Sequence, residues 1–173
     1  MASLVVNSLW NCNVYLNGTS LLGRAEEFEV PAPKRLMQLY KGLGMAARID
    51  IPVGWDKIEA SITWGSFDAT TIGLLASSTR IQQFAALGDL QVLTAAGETS
   101  DVPVIYNVSG LVIDPGPVPF KAQANVTFKT TIQVYHVDLT VGGSQVYLFD
   151  AFSNQFIVNG IDQLAQYRAN IGG

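Results

Sequence analysis

From residue 122 apolar side chains fall on every second position except Thr130, and after residue 134 the phase slips. Ala122, Ala124, Val126, Phe128, Ile132 and Val134 fall on even numbers, whereas Tyr135, Val137 and Leu139 fall on odd ones. Successive side chains of a strand point to opposite faces, so a one-residue slip carries the apolar row to the other side unless the strand bulges or bends. The pattern predicts one long strand with a bulge or strong bend near Val134 and Tyr135. Gly142-Gly143 follows, a two-residue hairpin signal, and the return strand, residues 145–151, is apolar on both faces.

The same period of two recurs elsewhere. Ile58, Ala60, Ile62 and Trp64 alternate with Glu59, Ser61 and Thr63. Val14 and Leu16 alternate with Asn13, Tyr15 and Asn17, and Phe28 and Val30 stand opposite Glu27 and Glu29. Residues 104–113 form another strand, apolar at nearly every position toward its end. Pro115, Pro117 and Pro119 cannot join a ladder and fix a turn after it. Two helices are expected. Asp68 is a suitable N-cap for residues 69–79, with Ile72, Leu75 and Ala76 on one side. A second helix, about residues 160–171, carries Ile161, Leu164, Tyr167 and Ile171, has Arg168 in its last turn and stops at Gly172-Gly173. Residues 40–55, with Gly42, Gly44, Pro52 and Gly54, read as a long glycine-rich loop. With no linker and no repeat, residues 1–173 read as one α+β domain, mainly β.

Composition narrows the chemistry. One His and one Cys in 173 residues exclude a zinc finger, an iron–sulfur site, a disulfide framework and a His-rich catalytic zinc. A net charge of −4 and a pI near 4.8 leave no basic face for tight nucleic-acid binding. No apolar run reaches the roughly 18 residues of a membrane span, and the first residues lack the form of a signal peptide. Only 14% of residues are charged while 49% are hydrophobic, so the surface of such a domain calls for a protein partner.

Single motifs add little. Gly42-Leu43-Gly44-Met45-Ala46-Ala47 fits G-x-G-x-x-A, but Asp50 and Pro52 follow where a dinucleotide site needs a helix. His136 has Asp138 two residues on, which allows a surface contact and no triad. Cys12 shares the phase of Val14 and Leu16, which suits a buried inert thiol; the alternative is an intermolecular thiol. More informative is the polar phase Gln123, Asn125, Thr127, Lys129, Thr131 and Gln133: hydrophilic, yet nearly uncharged. It suits a solvent-facing sheet or the wall of a conduit.

Several stretches together resemble the FII type of major tail tube protein of contractile-tailed bacteriophages. Residues 159–172, NGIDQLAQYRANIG, resemble that family's N-G-x-D-x-L-x-x-x-R-x-N-I-G ending, and Asn13-Val14-Tyr15-Leu16-Asn17-Gly18 resembles its N-V-[FY]-L-N-G opening. Residues 35–45 resemble its basic–apolar–Tyr–G-x-G-M segment, and residues 62–68 its strand–helix junction. The resemblance implies a tail-tube β-sandwich or barrel with one or two flanking helices. It implies hexameric rings, stacked inside a sheath, with a continuous inner β-barrel through which DNA passes unbound. It also implies a virion tail component assembled in the host cytoplasm with sheath, baseplate and terminator proteins, with no enzymatic activity, cofactor or membrane.

Phase and family topology together assign the lumen to Glu27, Glu29, Glu59, Ser61, Thr63, Gln123, Asn125, Thr127, Lys129, Thr131 and Gln133. Tyr40, Lys41, Gly42, Gly44 and Met45 belong to an expected inter-ring or intersubunit loop. Leu164, Tyr167 and Arg168 belong to an expected outer helix used in assembly. The competing readings are a monomeric β-barrel module for a small apolar ligand and an enzyme in which His136 would be the first candidate.

Overall fold

The computed structural model describes residues 4–66, 68–77, 79–95, 97–119, 122 and 126–172, without the side chains of residues 98 and 99. The strands are β1 (Val5–Leu16), β2 (Thr19–Ser20), β3 (Ala25–Glu29), β4 (Arg35–Tyr40), β5 (Ile49–Trp55) and β6 (Ile58–Trp64). After helix α1 (Ala69–Leu75) come β7 (Gln82–Thr94), β8 (Gly97–Asp114), β9 (Phe128–Val141), β10 (Ser144–Asp150), β11 (Gln155–Val158) and β12 (Ile161–Asp162), then α2 (Ala165–Ile171). Ten strands form one antiparallel sheet, and β4 and β5 form a separate hairpin.

The expected bend in β9 organises the sheet. One edge of β9 pairs with β8; the other pairs with β6 through residues 128–134 and with β10 through residues 136–141. The switch falls at Tyr135. On the β8 side Ser109 pairs with His136 and Gly110 with Val134, so Tyr135 is the extra residue of a bulge. Its carbonyl still accepts a hydrogen bond, from the Ala151 N–H at 2.8 Å. Gly110 is required there, because a Cβ would lie 2.5 Å from the Gln133 carbonyl oxygen. The buried positions Phe128, Thr130, Ile132 and Val134 give way to Val137, which keeps the apolar row facing inward across the slip.

The sheet thus curls over a single core. Ile58, Ala60, Ile62 and Trp64 are buried along one face of β6. They meet Val14, Leu16, Phe84, Val108, Val112 and Val137 from the rest of the sheet, and Phe28 of β3 contacts Phe84 of β7 at 6.5 Å between ring centroids. Thr130 sits in the buried row because Trp64 Nε1 donates to its Oγ1 at 2.8 Å, and that hydroxyl donates to the Pro115 carbonyl at 2.9 Å.

Five expectations change. First, β9 begins at Phe128, not at residue 122. Second, residues 40–55 are not one loop: Arg35–Tyr40 pairs with Ile49–Trp55, leaving a tip of residues 41–48. Third, α1 ends at Leu75, with Asp68 as its cap, accepting from the amides of Thr70 and Thr71 at 3.0 and 3.1 Å. Fourth, α2 starts at Ala165, because Asn159-Gly160 turns a hairpin between β11 and β12, both residues at positive φ. Asn-Gly is a hairpin turn signal, and here it overrides the helix start. Fifth, Cys12 is exposed, not buried. It keeps the phase of Val14 but lies where β1 has run past the core.

Candidate functional site

Strands β3, β6 and β9 put one polar row beside another. Glu27 pairs with Thr63 and Glu29 with Ser61 across β3 and β6. Glu59 pairs with Gln133, Ser61 with Thr131 and Thr63 with Lys129 across β6 and β9. Directly paired residues share a face, so Glu27, Glu29, Glu59, Ser61, Thr63, Lys129, Thr131 and Gln133 lie together, opposite the buried row of β6. Of the other expected members, Thr127 precedes the strand, and Gln123 and Asn125 lie outside the described residues. Two members were missed in the sequence. Asp114 joins the face by pairing with Thr131 after a bulge at Ile113, and Lys57 reaches Glu59 from one residue before β6. The odd-number phase of β6 extends to Lys57; Asp114 stands directly before the Pro115 turn, where the phase gives no signal.

Ion pairs hold both lysines of this face. Lys129 Nζ lies 3.0 Å from Glu29 Oε2, and Ser61 Oγ donates to the same oxygen at 3.0 Å. Lys57 Nζ lies 2.5 Å from Glu59 Oε1. The hydrogen bond from Lys129 holds the Glu29 carboxyl below the usual carboxylate range, with Ser61 adding to it. The Glu59 contact raises Lys57 above the ordinary lysine value.

The face ends in unpaired edges. Beyond β3 no strand follows among the described residues. On the other side β7 pairs with β8 only as far as Gly110, so residues 111–114 pair with β9 alone. Unpaired edges are templates for another strand. The same is true of β1, whose N-terminal part is exposed and carries Leu9 and, at 72% exposure, Trp10.

The β4–β5 hairpin is apolar on both faces. Leu36, Met37, Leu39, Tyr40, Ile49 and Val53 are all exposed, and Leu43 at the tip is fully so. Gly42 and Met45 close the tip, the Met45 amide donating to the Gly42 carbonyl at 3.4 Å; Gly44 has φ +81°, and Lys41 is exposed. The base is tied down by Trp55, whose ring lies 4.6 Å from that of Phe156 and carries the Arg35 guanidinium at 4.0 Å. Beside it a cavity of about 640 Å³ opens between Arg35, Trp55, Tyr135, Phe149, Leu164 and Tyr167. The indole N–H of Trp55 is buried without an acceptor among the described residues.

No residue of α2 is buried. Arg168 turns back to pair with Asp162 and donates to the Asn154 carbonyl at 2.8 Å, which ties the helix to the β10–β11 turn. The hydrogen bond from Arg168 to Asp162 holds the Asp162 carboxyl below its ordinary range. His136 does not use Asp138: its Nδ1 is 3.1 Å from Asp150, while Asp138 accepts from Gln145 at 2.9 Å. Asp150 in turn accepts from the amides of Phe152 and Ser153, so the pair secures a turn. Among the described residues no group of three or more His, Cys, Asp or Glu could hold a metal, and no helix is long and apolar enough to cross a membrane.

The curled sheet with its side hairpin has relatives of known structure. A chain of the PVC sheath–tube complex of an extracellular contractile injection system, in its extended state, superposes with a TM-score of 0.53 at 12% identity, covering 77% of this chain and 90% of that one. A chain of the PVC sheath/tube terminator gives 0.52 at 12% identity, over 77% and 95%. The fold is therefore one found in contractile injection machinery. The family model of phage tail tube protein FII matches residues 6–172, and the chain belongs to that family. The tail tube protein of Escherichia phage P2 is 31% identical over 166 residues, 92% of this chain and 94% of that protein. The chain is a structural subunit of a phage tail tube, a part of the virion tail.

Proposed function

We propose that the subunit polymerises as six-fold rings stacked into the inner tube of a contractile tail, and that the face formed by β3, β6 and β9 lines its lumen. One observation carries this reading: a polar, in-register face, backed by core, ends on both sides in unpaired strand edges. Joining β3 of one copy to residues 111–114 of β8 in the next uses both edges in one repeated contact, and such a head-to-tail contact closes into a ring. Six copies then give a continuous inner β-barrel with no free edge. Carboxylates outnumber lysines on the face, so it repels the DNA backbone weakly and lets DNA pass without binding it. The role is passive, with no catalytic residue.

The β4–β5 hairpin, with Tyr40, Lys41, Gly42, Gly44 and Met45 at its end, reaches a neighbouring ring or subunit. A two-stranded ribbon is marginal alone, and its two apolar faces gain stability when another copy covers them. Leu164, Tyr167 and Arg168 lie on the outer wall, where sheath contacts form. The complexes from which the structural neighbours come support sheath and terminator as partners; a baseplate partner and assembly in the host cytoplasm belong to the same proposal. Exposed Cys12 is available for an intermolecular contact. Leu164→Asp or Tyr167→Asp is expected to block tube growth or sheath attachment.

Cryo-electron microscopy of polymers formed by the purified chain tests the proposal. The expected result is stacked six-fold rings with Glu59, Thr131 and Gln133 toward the axis. Those side chains on the outer wall, or a protein that stays monomeric in size-exclusion chromatography at high concentration, would overturn it.

A further inference from the structure

We infer that Glu29 and Glu59 serve as covers for Lys129 and Lys57, holding the ammonium groups of the polar face away from a passing polyanion. The inference rests on the lumen reading above. Its starting point is that each lysine of this face lies within ion-pair distance of a carboxylate on the same face, at 3.0 Å for Lys129 and 2.5 Å for Lys57. Lys129 is reached from β3, two strands away, because Glu29 pairs with Ser61 and Thr63 pairs with Lys129. The contact is therefore a diagonal across the face, set by register. Ser61 Oγ donates to the same Glu29 oxygen that meets Lys129, which fixes the carboxylate in that position.

Stability does not account for this arrangement. Both partners of each pair are well exposed, and exposed pairs contribute little to folding. Their effect on a mobile ligand is different. A lysine is a compact charge on a flexible stem, free to follow a phosphate. Repeated six times around a ring, an uncovered lysine offers DNA a band of simultaneous contacts, and linked contacts multiply. A covered lysine presents a near-neutral pair instead. The contact with Lys129 holds the Glu29 carboxyl below its ordinary value, so the pairing itself favours the charged form that does the covering.

The test uses tubes assembled from the full chain and a short linear double-stranded DNA as probe. Wild-type tubes are expected not to retain DNA on sedimentation. Glu29→Gln tubes should retain it at low salt, and for every two phosphates engaged the affinity should fall about tenfold between roughly 50 and 200 mM salt. Adding Lys129→Gln to Glu29→Gln should abolish retention. Glu59→Gln, alone and with Lys57→Gln, repeats the test at the second pair. Cryo-electron microscopy of the same tubes locates the residues. If they line the inner wall and neither glutamate variant retains more DNA than wild type, the covering role is wrong while the lumen reading stands. If they lie on the outer wall, the lumen reading falls and takes this inference with it. If neither variant forms tubes, the pairs serve assembly and the inference is overturned.

Discussion

Strands β6 and β5 are each seven residues long and each lies in an antiparallel ladder, yet they have opposite fates. In β6 the apolar residues keep to one face and are buried by the chain's own sheet. In the β4–β5 hairpin they occupy both faces and remain exposed. Alternation records burial against the same chain. Apolar residues on both faces of an isolated ribbon find no burial within the chain, which is why another copy is proposed to cover them. The first pattern makes a subunit; in the proposed tube the second joins subunits.

That contrast can be broken at four places. Trp64→Ala removes the largest fully buried side chain and the hydrogen bond it donates to Thr130, whose hydroxyl keeps only its bond to the Pro115 carbonyl. It should cost about 3–5 kcal/mol in urea unfolding of the dissociated subunit. Asp68→Ala removes the side-chain cap of α1 and should cost about 1 kcal/mol by the same measurement, with Asp68→Asn close to wild type. At the C-terminal end the effect is local. Asp162 has a folded pKa below its unfolded value, so its contact with Arg168 contributes above the ordinary carboxylate range and is lost as pH falls through the folded value. Asp162→Asn should release Arg168 already at neutral pH, seen in the Arg168 side-chain NMR signal, whereas wild type should show that change only in acid. The smallest effect on the subunit is expected at the hairpin tip. Leu43→Asp should change its unfolding free energy by less than about 0.5 kcal/mol and still abolish tube growth in negative-stain images. A Leu43→Asp subunit that polymerises normally would sever the link between two-faced apolar ribbons and assembly.

Much of the fold was legible because one face of most strands is buried. The rows of β6 and β9, the Tyr135 slip, the Gly142-Gly143 turn and the Asp68 cap each leave a local trace in residue type. The hairpin left none. Leu36, Met37, Leu39 and Tyr40 do not alternate, since neither face packs on the chain itself, and Gly42, Gly44 and Gly54 then read as loop. Cys12 misled for a related reason: phase tells which way a side chain points, not where the core stops. At Asn159-Gly160 two signals competed, and a hairpin turn took the residues that a helix start also favours. The polar face was legible as separate rows. Its ion pairs were not, because Glu29 and Lys129 are 100 residues apart and only register brings them together.

The division of β9 between two strand partners has a mechanical consequence. Residues 128–134 are bonded to β6, which carries the polar face, and residues 136–141 to β10, on the far side of the bend. The two halves are joined at Tyr135 by covalent backbone. A load that drags the β10 side of the subunit past the β6 side is therefore carried along a peptide chain under tension, with flanking ladders loaded in shear. Side-chain packing alone would yield by sliding; a continuous strand acts as a tie between the two sides of the bend.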